Sequence, residues 1–173
     1  MAAADDVAPR AASAYLDPTY WDQRFGKEEH YEWFKDFSHF RHLLAPLLSP
    51  SVSVLEVGCG NSRLGEELLR EGVAGGITCV DLSPIAVQRM RDRLAAQGTD
   101  GVEVVAADML DLPFVIEKGT MDVLFVDSGD PWNPNPATVT NVMKMLEGIH
   151  RVLKPAGVFV SITFGQDTIT FGR

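Results

Sequence analysis

Only two cysteines, Cys59 and Cys79, occur in the 173 residues, and there is no C-x-x-C pair. A disulfide framework and a cysteine-held zinc site therefore find no support. Both thiols lie in apolar, strand-like surroundings, which favours buried free cysteines and a reducing, cytoplasmic setting. The four histidines, His30, His39, His42 and His150, form no zinc-type pair, and the spacing puts His39 and His42 on one helix face as surface residues. No apolar run approaches the roughly 18 residues that a membrane span needs. The start, M-A-A-A-D-D-V-A-P-R, carries no hydrophobic segment of the secretory kind, and its early acids disfavour an organelle transit peptide. Positive charge is also scarce: 15 Lys and Arg stand against 24 Asp and Glu, a formal net charge of −9. An acidic surface repels phosphate backbones, so nucleic acid is a poor partner and a basic protein or peptide a better one.

What is present is ordinary for a globular chain, 46% hydrophobic and 23% charged, and long enough to bury one core. Residues 1–14 are small, polar and aperiodic and read as a disordered lead-in, leaving 15–173 as a single domain. Over 15–50 the pattern is helical and aromatic. Asp17 and Pro18 open a helix, and Phe37, Phe40, Leu44 and Leu47 recur at helical spacing before Pro46 marks a stop. This segment is expected to form a helical N-terminal cover.

From 52 to 165 strands and helices alternate. Ser53–Val57, Ile77–Asp81, Val102–Ala107 and Val158–Phe164 read as strands, with helices at Ser62–Glu71 and from Pro84, capped by Ser83, to Gly98. Val139, Val142, Met143, Leu146, Ile149 and Leu153 mark a late helix, followed by a K-P-A-G turn. Such alternation predicts an α/β, three-layer sandwich with a mostly parallel, Rossmann-like sheet.

The strand-end residues carry the chemistry. Gly58 and Gly60 in V-L-E-V-G-C-G-N let a backbone turn sharply and approach a ligand, although any strand-to-helix turn can want glycine. A dinucleotide fingerprint would place a third glycine where Arg63 stands, which lowers the NAD reading. Asp81 ends the second strand 21 residues after Gly60, where a carboxylate can grip ribose hydroxyls or simply cap the next helix. Asp108 ends V-E-V-V-A-A-D, where an acid can receive an exocyclic adenine amine while Met109 covers the ring. Three such features in register favour one nucleoside-sized ligand across the carboxyl edge of the sheet.

These residues resemble the seven-strand, S-adenosylmethionine-dependent methyltransferases: E-V-G-C-G-N, V-D-L-S, A-D-M-L-D-L-P-F and R-V-L-K-P-A-G-V-F-V-S are similar to motifs of that family. Y-W-D-Q-R-F, Y-E-W-F-K-D-F, E-K-G-T-M-D and D-P-W-N resemble more narrowly its protein-lysine methyltransferases that act on elongation factor 1A or citrate synthase. The resemblance, over roughly residues 15–166, implies strand order 3-2-1-4-5. It implies S-adenosylmethionine as cofactor, held by Trp21, Phe25, Trp33, Gly58, Gly60, Asp81, Leu82, Asp108, Met109 and Lys118, and a protein substrate, a basic translation factor among the candidates. Aromatic faces attract a sulfonium cation, although the same three rings would serve as plain core. No catalytic base is assigned; Glu117, Asp122 and Asp130 are candidates by position alone.

Two departures from the family pattern shape the expectations. The fourth strand is either Phe114–Lys118, as the resemblance implies, or Met121–Asp127, which is richer in strand formers. At the end, S-I-T-F-G-Q-D-T-I-T-F-G-R leaves room for one short strand over Asp167–Phe171, so the family's C-terminal strand pair is expected to be missing, as in a shortened form. The alternatives to a protein-lysine methyltransferase are a small-molecule methyltransferase, a cofactor-binding remnant without activity and, more remotely, an NAD-dependent oxidoreductase.

Overall fold

The computed structural model describes residues 9, 11–30, 32–106, 112–130, 132–164 and 169–172. Asp17 opens the N-terminal cover by accepting the Thr19 NH at 2.9 Å, which starts helix α1 (Pro18–Lys27) with Pro18 in its first turn. Asp36 does the same for α2 (Phe37–Leu44), accepting the Ser38 NH at 2.9 Å. Phe37, Phe40 and Leu44 then face the core, as their spacing requires. Ala12, Ser13 and Ala14, placed by sequence in the lead-in, belong to a short 3₁₀ helix, Ala12–Leu16; residues 1–8 and 10 lie outside the described residues.

The sheet comprises β1 (Val54–Val57), β2 (Ile77–Val80), β3 (Val102–Val105), β4 (Leu112–Lys118), β5 (Leu153–Ile162) and β6 (Ile169–Gly172). Its order is β3-β2-β1-β4-β5-β6; the first five strands run parallel and β6 antiparallel. The expected order 3-2-1-4-5 is observed, and the position left for a short final strand holds β6, which pairs from Phe159↔Gly172 to Ile162↔Ile169. Four residues of the β5 edge are thereby covered; Asp167 lies outside the described residues.

Alternation of side chains along β1 and β4 divides the core. Val54 and Ile116 point into a large cluster with Phe40, Leu44, Leu64, Leu68, Met90 and Val160. Leu55 and Val115 point the other way, onto Ile149 and Val152. Helices α3 (Leu64–Arg70) and α4 (Pro84–Gln97) complete the first layer, and α6 (Pro136–Val152) supplies the second. Gly98, at φ 61°, ends α4 in the left-handed conformation that its position predicts.

Three local expectations are revised. The fourth strand is Leu112–Lys118, and Thr120–Phe125 is a helix, α5, so the Met121–Asp127 alternative is excluded. A strand between β1 and β5 must be covered on both faces; Val115, Ile116 and Glu117 are each 0% exposed, whereas Met121 to Leu124 are half-buried. K-P-A-G forms no separate turn. It lies within β5, where the pairing with β4 shifts between Leu112 and Phe114 and Ala156 takes φ 64°. On α6 the buried residues are Thr138, Val142, Ile149 and Val152, because the helix starts at Pro136 under an Asn135 cap; Val139 and Met143 are exposed.

Leu55, in the central strand and 0% exposed, tests the smaller cluster. Leu55→Ala is expected to cost about 2–5 kcal/mol of stability, read by urea denaturation, with a smaller loss for Leu55→Val.

Candidate functional site

The turn after β1 is held by the end of β2. The NH groups of Gly58 and Cys59 both donate to the Val80 carbonyl, at 2.8 and 3.0 Å. Gly58 (φ 67°) and Gly60 (φ 51°) take left-handed conformations that suit glycine, and both are crowded. A Cβ on Gly58 would stand 2.0 Å from Thr120 Oγ1, and one on Gly60 would meet the Phe25 ring at 2.9 Å. The loop is thus closed against both α5 and the cover, and its free side faces a cavity of about 480 Å³ at the carboxyl edge of the sheet.

Asp81 fixes the geometry of this corner. Its Oδ2 accepts the Gly60 NH at 2.7 Å and its Oδ1 the Ser83 NH at 2.8 Å. Ser83 in turn caps α4 and donates its hydroxyl to Asp22 of the cover. Burial, with some help from the nearby Asp22 charge, holds the Asp81 carboxyl above the usual range against these hydrogen bonds.

The cover supplies an aromatic wall. Trp21 stacks on Phe25 with centroids 5.7 Å apart, Trp33 lies 5.5 Å from Trp21, and Tyr15 lies 5.8 Å from each tryptophan. Arg24 stands over the Trp33 ring at 4.8 Å and is itself clamped by both oxygens of Glu28 at 3.0 Å. The far end of α1 is tied to the sheet side: Arg89 donates to the carbonyls of Gly26 and Glu28, and Asn61 Nδ2 donates to the same Glu28 carbonyl.

Charged and polar groups line the floor. Glu56 is 1% exposed, and burial raises its carboxyl to about 7 although the Lys118 ammonium pulls the other way. Lys118 donates to Glu32 at 2.9 Å. Asn61 Oδ1 is buried and, among the described residues, accepts no hydrogen bond.

Residues 48–170 match the family described as a methyltransferase domain. The chain belongs to that family. It is 39% identical over 163 residues to EEF1A lysine methyltransferase 4 of Mus musculus and 40% identical over 163 residues to the Bos taurus protein of the same name. The alignments take in 90% of this chain and 64% of each relative, so the chain spans rather less than two thirds of the length of those proteins. Among solved structures, the CcbJ methyltransferase from Streptomyces caelestis superposes with a TM-score of 0.58 at 21% identity, over 83% of this chain and 56% of that one, a likeness of fold.

Of the residues singled out in the sequence, Trp21, Phe25, Trp33, Gly58, Gly60, Asp81, Leu82 and Lys118 all line the one cavity. Asp108 and Met109 lie outside the described residues. Asp81 receives the Ser83 NH beside the start of α4 and also lines the cavity. Cys59 and Cys79 are buried free thiols, Cys59 lining the cavity and Cys79 beneath it against Glu56. Glu117, Asp122 and Asp130 are not among the lining residues. Glu117 is engaged by Ser161 and the Met121 NH, Asp122 accepts the Phe164 NH, and Asp130 accepts the Trp132 NH on the surface. Sequence reasoning missed Tyr15, Glu56 and Asn61. Glu56 did carry a signal: it is an acid inside an apolar strand immediately before the glycine turn.

Glu56 gives the domain a pH dependence of definite sign. Its folded value of about 7 exceeds the ordinary glutamate value of 4.5, so the native state holds this proton more tightly than the unfolded chain. The Glu56 contribution is full below about 4.5 and is lost as pH rises towards about 7. Glu56→Gln is expected to remove that slope, so that wild type loses stability relative to the variant between about pH 4.5 and 7 in denaturant titrations.

Proposed function

We propose that this chain binds S-adenosylmethionine in the cavity and that it serves the methylation of a lysine side chain on a protein substrate in the cytoplasm. The observation that carries this reading is the convergence on one cavity of a glycine cradle, the Asp81 carboxylate and an aromatic wall. The residues suit such a cofactor. Gly58 and Gly60 let the loop close against Thr120 and Phe25 while its free side faces the cavity, Asn61 Oδ1 offers a buried acceptor, and Asp81 offers carboxylate lone pairs to hydroxyl donors. Trp21, Phe25 and Trp33 provide ring faces for a positive charge. When bound, S-adenosylmethionine supplies an electrophilic methyl group on a sulfonium centre.

The work left to the protein is alignment and drying of the acceptor. A lysine amine has a reference pKa of about 10.4 and must shed a proton before it can act as a nucleophile. Leu16, Val123, Leu124 and Met145 line the cavity beside Tyr15 and favour the neutral amine by desolvation. Asn141, also a lining residue, offers an amide to orient it. The net charge of −9 suits a basic protein surface, and the relatives named EEF1A lysine methyltransferase 4 point to a translation factor. Among the described residues no helix is long and apolar enough to cross a membrane.

Calorimetry against S-adenosylmethionine and NAD tests the ligand, with binding expected only for the former; tight NAD binding alone overturns the reading. Asp81→Asn keeps the size but removes the charge, and is expected to weaken S-adenosylmethionine binding about 10–100-fold while the melting transition remains cooperative. For the acceptor, labelled methyl groups added to a cell lysate should appear in protein. Label confined to small molecules would move the assignment to that class.

A further inference from the structure

Lys118 stands in the cavity wall, yet its ammonium is already committed. Nζ donates to Glu32 Oε2 at 2.9 Å and to the Trp33 carbonyl at 3.0 Å, and the side chain is 5% exposed. Glu32 lies on the link between α1 and α2. It also accepts the Arg63 NH at 2.7 Å and the Ser62 hydroxyl at 3.2 Å. One carboxylate thus gathers donors from the end of β4 and from the entry to α3, and its neighbour in the chain is Trp33, whose ring lines the cavity.

We infer that Glu32 is a positioning residue for the ligand: with Lys118 it locks the α1–α2 link onto the glycine loop, so that Lys118 supports binding by placing the Trp33 ring rather than by touching the ligand. The inference rests on the reading that the cavity takes S-adenosylmethionine. Its physical basis is that a largely buried ion pair, here with Lys118 5% and Glu32 17% exposed, acts as a unit. Removing either partner strands the other and frees the same segment, so the two losses should not add. A lysine in direct contact with the ligand would behave otherwise, because its contribution would persist whatever became of Glu32.

The test is a double-mutant cycle of Glu32→Gln, Lys118→Met and the double variant, read by calorimetric affinity for S-adenosylmethionine. Each single change is expected to weaken binding about tenfold, and the double no more than the worse single. Losses that multiply, to about a hundredfold in the double, overturn the inference. Glu32→Asp serves where the charge-removing variants fail to fold: it withdraws the carboxylate by one methylene and leaves Lys118 intact. It should weaken binding and shift the tryptophan emission of the ligand-free protein, measured in a Trp132→Phe background because Trp132 is 96% exposed. An unchanged affinity and spectrum in Glu32→Asp overturn the positioning role. Wild-type protein that fails to bind S-adenosylmethionine rejects the ligand reading instead, and the emission shift then still decides whether Glu32 places Trp33.

Discussion

The Gly60 NH meets the Asp81 carboxylate at 2.7 Å, and much of the site follows from the conditions that allow this bond. The loop after β1 must double back over β2, which requires left-handed backbone at Gly58 and Gly60. It must also leave space that Thr120 and Phe25 already claim, which a side chain on either glycine would not. Once the loop is in place, Asp81 holds the start of α4 with its other oxygen, and Ser83 passes the connection to Asp22 of the cover. One carboxylate thus joins two strand ends, a helix start and, through a serine, the N-terminal segment.

Within the cover, α2 packs into the core as the sheet does, but the part around α1 is fastened differently. The layers of the sandwich meet through aliphatic packing of buried Val, Leu and Ile. The region around α1 is held largely by polar bonds: Arg89 and Asn61 to its last carbonyls, Glu32 to Ser62, Arg63 and Lys118. Directional bonds fix ring positions more narrowly than apolar contact does, and an aromatic wall needs that definition if its faces are to meet a ligand. The Arg24 guanidinium, clamped by Glu28 and set over Trp33, adds a further fixed point behind the wall.

Where the chain's own neighbours decide structure, the sequence was readable. Ser83, Pro84 and Gly98 bound a helix by local chemistry, and the mostly parallel sheet followed from the alternation of strands with helices, while its strand order came from the family resemblance. Asp81 could be placed because its distance from the glycine turn is set by one strand-helix-strand unit. The fourth strand was undecidable locally, since Phe114–Lys118 and Met121–Asp127 are both short segments rich in apolar residues and only burial between two neighbours separates them. K-P-A-G reads as a turn by residue type but is absorbed as an irregularity in a strand held by β4. Glu32 was invisible for a related reason: its partners lie 30, 31 and 86 residues away, and nothing around it in the chain announces them. The aromatic trio was found through resemblance, because helical spacing alone gives aromatic core and aromatic wall the same pattern.

The cavity has walls from two distant parts of the chain, Tyr15–Trp33 on one side and Glu56–Met145 on the other. An unfolded chain therefore offers a ligand none of the site, and any molecule that fills it binds the native state alone. By mass action such a ligand adds about 2.7 kcal/mol to stability at a hundred times its dissociation constant, a large share of what a domain of this size has in total. In that sense the ligand behaves as the last residue of a second, wet core, one that the polypeptide leaves for a small molecule to complete.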